Sequence, residues 1–204
     1  MANVDAAFGY RPIGKVGSGV NNAGTSLYAI GDNYNTSIFK GDHVMQASGL
    51  VIAGTAGGDN NLGVFNGCFY IDPTSAKPTW SNYYPADTNV TASGSISGTT
   101  TIDAYIYDDP YYLFEAQCDG TIAKTDIGKN TESILGTSST VNGQSVTEVD
   151  YGGTTTIATT AALQLKIIGI TKDPENDDAS SANANWHIMW NEHVKFSSTG
   201  ITGT

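Results

Sequence analysis

The sequence predicts an all-β fold, a β-barrel or β-sandwich with long loops and an extended N-terminal arm. Three observations carry that expectation. Only 14 % of residues are charged, and Lys, Arg, Glu and Leu give way to Ser, Thr, Asn and Tyr. Helices draw on the scarcer set, whose straight side chains lose little rotamer freedom. Short apolar runs recur and are separated by clusters of Gly, Pro and Asn, the pattern of a sandwich or barrel. The 24 Gly among 204 residues exceed the usual share of about 7 % and fall largely at turns. Aromatic residues make up 10 % of the chain, which excludes simple disorder. No βαβ alternation and no repeat of fixed period is visible.

Residues 1–20 read as the extended arm. Gly9, Pro12, Gly14, Gly17 and Gly19 break any regular period, while Phe8, Tyr10, Ile13 and Val16 give the arm reason to lie on a surface. That surface is either its own body or a neighbouring subunit. Residues 21–204 read as a single β-rich domain. Ser26–Ile30 is a short strand, and Gly31–Asn35 is a turn. Ser37–Phe39 runs into a second turn at Lys40-Gly41-Asp42. Val44–Ile52 is a strand broken at Gly49, and Thr55–Asn61 is a loop whose Gly and Asn tolerate positive φ. Leu62–Ile71 is the next strand.

A long loop insert is expected near 72–98. It holds Pro73, Pro78 and Pro85 with Trp80, Tyr83 and Tyr84, and loops of this length are uncommon without a role. Thr99–Tyr107 then alternates with period two, with Ile102, Ala104 and Ile106 on one face and Thr101, Asp103, Tyr105 and Tyr107 on the other. Asp108-Asp109-Pro110 ends it, and Tyr111–Gln117 resumes as a strand. Thr121–Gly128 reads as a short turn or helical segment through Lys124-Thr125-Asp126. Thr131–Tyr151 is polar. Ala162–Ile170 is the strongest strand signal, with Leu163, Leu165 and Ile167 on one face. Thr171–Asn185 is an acidic loop. In Trp186–Phe196, Trp186, Ile188 and Trp190 alternate against His187, Met189 and Asn191.

The formal net charge of −11 repels phosphate backbones and anionic membranes. With only 9 Lys and Arg to displace counterions, neither nucleic acid nor membrane is an expected partner. No apolar run reaches the roughly 18 residues of a spanning helix. The first eight residues lack the basic and apolar regions of a secretory signal, so the chain is expected to be made and used without export. Cys68 and Cys118 lie in apolar, strand-like contexts. They read as two small buried hydrophobes, or alternatively as one disulfide closing a long loop.

Several groups invite chemistry, and each has a plainer reading. His187, Glu192 and His193 do not have the H-E-x-x-H spacing. Six residues of strand separate the two histidines by about 20 Å, too far for one ion. Asp173, Glu175, Asp177 and Asp178 resemble an oxygen cage for calcium but lack the glycine and closing Glu of an EF-hand, and read as a solvated acidic loop. Asp108, Asp109 and Glu115 supply carboxylates of the kind a glycoside hydrolase pairs, yet Asp before Pro is an ordinary turn starter. Trp80, Tyr83 and Tyr84 can stack on sugars, anchor a protein partner or pack on their own body. No Walker loop, G-x-S-x-G elbow or dinucleotide fingerprint occurs. No catalytic residue, metal or cofactor is therefore expected.

The segment Asn3-Val4-Asp5-Ala6-Ala7-Phe8-Gly9-Tyr10-Arg11-Pro12-Ile13-Gly14 resembles the opening of a group of small capsid-associated proteins of tailed phages, especially aquatic ones, whose chains commonly begin with A-x-F-G-x-R-P. Further stretches match in order and spacing. They are Asp108-Asp109-Pro110 leading to Phe114-Glu115-Ala116-Gln117 and Asp126–Asn130, then Thr159–Gly169 and Trp186–His193. The resemblance departs at the insert, Asp72–Ser97. It implies a head decoration, or cement, protein with no active site, which clamps major capsid protein subunits on the outer surface of the virion after synthesis in the host cytoplasm.

On that expectation the partner-binding residues are Phe8, Tyr10, Arg11, Pro12, Trp80, Tyr83 and Tyr84. Phe8 and Tyr10 are anchors, Arg11 is a fork for a carboxylate, and Pro12 limits the arm's freedom. A homo-oligomer is expected, as a trimer on local threefolds or a dimer across twofolds. The rival expectations are a glycan-binding module displayed on a virion or tail, a glycoside hydrolase using Asp109 and Glu115, and a tail or neck component.

Overall fold

A computed structural model describes residues 2–17, 24–31, 34–58, 60–72, 74–86, 94–96, 99–153 and 157–196. Among them the chain forms β1 (Arg11–Lys15), β2 (Ser26–Gly31), β3 (Ile38–Phe39), β4 (His43–Ala47), β5 (Leu50–Ala53), β6 (Asn61–Ile71), β7 (Pro78–Ser81) and β8 (Tyr83–Tyr84). The second half adds β9 (Gly94–Ile96), β10 (Thr99–Tyr107), β11 (Tyr112–Gln117), β12 (Asn130–Thr131), β13 (Ser133–Ile134), β14 (Glu148–Val149), β15 (Leu165–Ile170) and β16 (Asn185–Trp190). The one helical element described is the 3-10 turn Lys124–Asp126, where a short turn or helical segment is expected.

The fold is all-β. The larger sheet has the order β2-β10-β6-β4-β5, with β7 added to β6 and β9 to β10. All its pairings are antiparallel. Its outermost members β2 and β5 approach each other, so the sheet curls around its own apolar filling. No ladder joins them among the described residues, and the architecture is consistent with a sandwich rather than a closed barrel. The filling includes Ile30, Ile38, Val44, Leu62, Phe65, Ile102, Ala104 and Ile106. The period-two reading of β10 holds, because Ile102, Ala104 and Ile106 are all fully buried.

The second sheet has the order β1-β11-β16-β15-β12 and is also antiparallel. Its inner face carries Phe114, Ala116, Leu165, Ile167, Trp186, Ile188 and Trp190. Ladder register sets Phe114 opposite Ile188 and Ile188 opposite Ile167 across three strands. Burying such side chains contributes roughly 1.5–3 kcal/mol each, so this face and the curled sheet are the two centres of stability. Val64 of β6 belongs to this second core, which joins the two sheets.

The structure corrects two expectations about organisation. The stretch near 72–98 is not a plain loop. Pro78–Ser81 adds an edge strand to β6, Tyr83–Tyr84 pairs with Ile38–Phe39, and Gly94–Ile96 pairs with β10. Asp72 closes the hairpin by accepting hydrogen bonds from the amides of Thr74 (2.7 Å) and Ser75 (3.1 Å). Proline is tolerated as the first residue of an edge strand, so Pro78 does not forbid the pairing. Pro73, residues 87–93 and residues 97–98 lie outside the described residues. The N-terminal segment is extended, as expected, but it is not a separate arm, because Arg11–Lys15 is the edge strand of the second sheet.

The cysteines are both buried and free, which removes the disulfide alternative. Cys118 donates to the Gly120 carbonyl at 2.8 Å. Burial pushes both thiols up, Cys68 to about 12, so both stay protonated and unreactive near neutrality.

Candidate functional site

The N-terminal segment positions the site, and specific polar contacts position the segment. The Asn3 side-chain amide donates to the carbonyls of Asp178 (3.0 Å) and Ala182 (2.7 Å). The Val4 carbonyl accepts from Gln117 Nε2 and Asn176 Nδ2, each at 2.8 Å. The Ala6 amide donates to Gln117 Oε1 at 2.9 Å. The chain then turns at Gly9, whose φ is +72° and where an added Cβ would lie 2.6 Å from the Ser145 Cβ. Glycine alone meets both demands.

That turn sends Tyr10 inward. Its amide donates to the Gly41 carbonyl at 2.8 Å, and its hydroxyl hydrogen-bonds Ser133 Oγ at 2.7 Å. The ring lies edge-on to Trp190. Burial pushes the phenol pKa well up. Tyr10 is 2 % exposed, so it anchors the segment to its own core rather than standing out toward a partner. Tyr84 is corrected in the same way. It is fully buried, and its hydroxyl donates to the Tyr34 carbonyl at 2.8 Å.

Phe8, Arg11 and Pro12 remain facing outward, and they gather at one place. They line a groove of about 460 Å³ with Lys40, Gly41, Phe65, Tyr107 and Gln144, over Tyr10. Buried Tyr10, Gly41 and Phe65 form its floor, and exposed Arg11 and Lys40 stand at its rim. Gln144 clasps the two sides together, donating from Nε2 to the Phe8 carbonyl at 2.6 Å and the Lys40 carbonyl at 3.1 Å. The Arg11 guanidinium lies over the Phe8 ring, 4.4 Å from its centroid, and donates to Glu115 Oε2 at 3.3 Å. Lys40, Tyr107 and Gln144 were not legible as site residues. Gln144 sits in the polar stretch 131–151, which shows no periodicity, and reaches the groove only through tertiary folding.

Trp80 and Tyr83 do not line this groove. Trp80 is 50 % exposed on edge strand β7. Its indole covers Gly67, where a Cβ would come within 2.6 Å of Cζ2, and meets the Tyr105 ring edge-on at 4.9 Å. Tyr83 is half-buried and stacks on Phe39 at 5.7 Å.

The acidic candidates are engaged locally. Asp108 accepts from Ser26 Oγ (2.8 Å), Tyr28 OH (2.7 Å) and Lys195 Nζ (2.6 Å). Burial alone would raise its pKa, but these bonds, Lys195 first, outweigh it and hold the carboxyl below its usual range. For Asp109 burial is likewise overcome, by Lys15 and the Tyr111 amide. Glu115 holds Arg11. In the acidic loop, Asp178 accepts from the Ser180 amide and hydroxyl and from Ser181 Oγ, and Asp173 from the Glu175 amide and Asn185 Nδ2. These oxygens build the turns that grip Asn3. His187 is half-buried on β16, while His193 is buried beyond its end, where burial lowers its pKa to about 4. Among the described residues no three His, Cys, Asp or Glu side chains are gathered as metal ligands.

Comparison with protein-family models, curated proteins and solved structures finds no match to this chain.

Proposed function

We propose that this protein is a structural virion component, a decoration or cement protein that binds the outer surface of a phage head and braces neighbouring major capsid protein subunits. The observation that carries the reading is the groove at the N-terminal segment. The residues of the A-x-F-G-x-R-P resemblance are not spent as a loose tail. Tyr10 fixes the segment in the core, and the same turn presents Phe8, Arg11 and Pro12 together on a preorganised surface. Preorganisation lowers the ordering cost of binding. A stable contact needs at least about 1,000 Å² of buried area, so the groove is the centre of a larger interface, and many copies on one shell add avidity. Homo-oligomers on the shell, trimeric or dimeric, belong to the same proposal.

The carboxylates favour binding over glycoside hydrolysis. A general acid needs a raised pKa, whereas Asp108 and Asp109 are shifted down and Glu115 is paired with Arg11. A second reading, a glycan-binding module, is favoured by one observation: half-exposed Trp80 packed beside Tyr105 on an outer sheet face.

The test is co-sedimentation of the purified protein with phage heads stripped of decoration. The proposal expects saturable pelleting with heads and none without them. Protein that stays in the supernatant at every head concentration overturns it. A glycan array read with wild type and Trp80→Ala decides the second reading, which requires Trp80-dependent binding to a defined sugar.

A further inference from the structure

The groove is unbalanced in charge. Arg11 and Lys40 stand at its rim and, among the described residues, no Asp or Glu lines it; the nearest carboxylates are Glu115, paired with Arg11, and Asp42, Glu132 and Glu148, which act on the Tyr10 floor. Arg11 is the only arginine in the sequence. It meets Glu115 through one nitrogen, and 60 % of its side chain stays open to solvent, so most of its donor fork is unspent. Lys40 is exposed and forms no ion pair among the described residues. Beside the groove, β1 is the terminal strand of its sheet, and among the described residues it is laddered to β11 on one side only. An unladdered edge is a template for an extended chain, and in β1 that pairing is interrupted at Pro12, which has no N–H, and at the bulge between Pro12 and Gly14.

We propose that the groove and the free edge of β1 receive an extended acidic segment of another polypeptide. A carboxylate sits between Arg11 and Lys40, and an apolar side chain of the segment rests against Phe8 and Pro12. The chain's overall negative charge does not forbid this. At physiological salt the Debye length is about 8 Å, so a carboxylate in the groove feels the two rim cations while most remote acids are screened. A basic segment would meet two like charges instead. This inference rests on the reading of the groove as the shell contact and names the chemistry of what enters it.

The test uses the full chain and a capped peptide of about ten residues alternating Glu and Val, enough to pair along β1, with a Lys–Val counterpart as control. Isotope-labelled protein is titrated at low salt and followed by NMR. The acidic peptide is expected to shift the β1 amides and the side-chain N–H signals of Arg11 and Gln144, and the basic peptide to leave them in place. Arg11→Gln/Lys40→Gln is expected to weaken binding about tenfold, the effect of losing two partly exposed charge contacts, and Arg11→Lys/Lys40→Arg to restore it.

Equal response to both peptides, no response to the acidic one, or undiminished binding by the Gln variant overturns the inference. Self-association abolished by the Gln variant also overturns it, in favour of a second copy as occupant. The two readings fail separately. If the acidic peptide occupies the groove but wild type ignores heads, the capsid reading fails alone. If the Gln variant coats heads as tightly as wild type, this inference fails alone.

Discussion

Replacing Glu148 by Gln should stabilise the protein in alkaline solution and leave it unchanged in acid. Glu148 on β14 is half-buried, and its carboxyl pKa is raised from 4.5 to about 7. Burial is the main cause, and the nearby carboxylates of Asp119 and Asp5 add to it. Asp5 belongs to the N-terminal segment, so this repulsion opposes the docking of the segment itself. The folded state holds a proton on Glu148 that the unfolded chain has released between pH 4.5 and about 7.

Stability from this group is therefore fully present below pH 4.5 and lost as pH rises through about 7. A shift of that size corresponds to about 3 kcal/mol at 1.36 kcal/mol per pKa unit, but solvent reaches half the group and screening reduces it to about 1–2 kcal/mol. Urea unfolding of wild type and Glu148→Gln should give curves that coincide at about pH 4 and separate by that amount at about pH 8. A difference that does not vary with pH, or a Gln variant less stable at the alkaline end, would show that Glu148 carries no such penalty.

Other perturbations test how the site is built. Gln117→Ala removes bonds to Val4 and Ala6 and to the Asn183 carbonyl, and should cost about 1–3 kcal/mol while speeding amide exchange at Ala6. Tyr10→Phe loses the hydroxyl bond to Ser133 and should lower stability by about 1 kcal/mol without altering attachment to heads, because the hydroxyl is buried against Ser133 and the ring stays in place beneath the groove. Gly54→Ala would put a Cβ 1.9 Å from Nε2 of the fully buried His43. Overpacking of this kind should cost about 1–3 kcal/mol, read as a lowered urea midpoint.

The parts of the fold that were legible are those where burial follows the pleat. Ile102, Ala104 and Ile106, and again Trp186, Ile188 and Trp190, announce their inner faces by alternation alone, and all six are buried. Alternation says nothing about Glu132, Ser133, Ser145, Thr147 and Asp150, which are buried although polar. Local hydrogen bonds satisfy some of them, as where the Ser145 hydroxyl accepts from the Thr147 amide and Asp150 Oδ1 from the Gly152 and Gly153 amides. The sequence therefore shows 131–151 only as a polar stretch.

The same blindness hid Gln144. An aromatic such as Tyr10 or Tyr84 in a Gly- or Pro-rich stretch reads as exposed, whereas a hydroxyl that finds a partner lets tyrosine fill a core. Tyr10 also changes how the groove must be tested. Deleting residues 1–17 would remove a core side chain and an edge strand along with the surface, so point substitutions at Arg11 and Lys40 are the cleaner probe.

Cryo-electron microscopy of heads saturated with the protein tests whether it binds the shell through this groove. The protein should appear in ordered positions on the outer shell, with Phe8, Arg11, Pro12 and Lys40 turned toward a capsid subunit and covered by it. Ordered attachment with that groove facing solvent, or shells that remain bare, would contradict that placement.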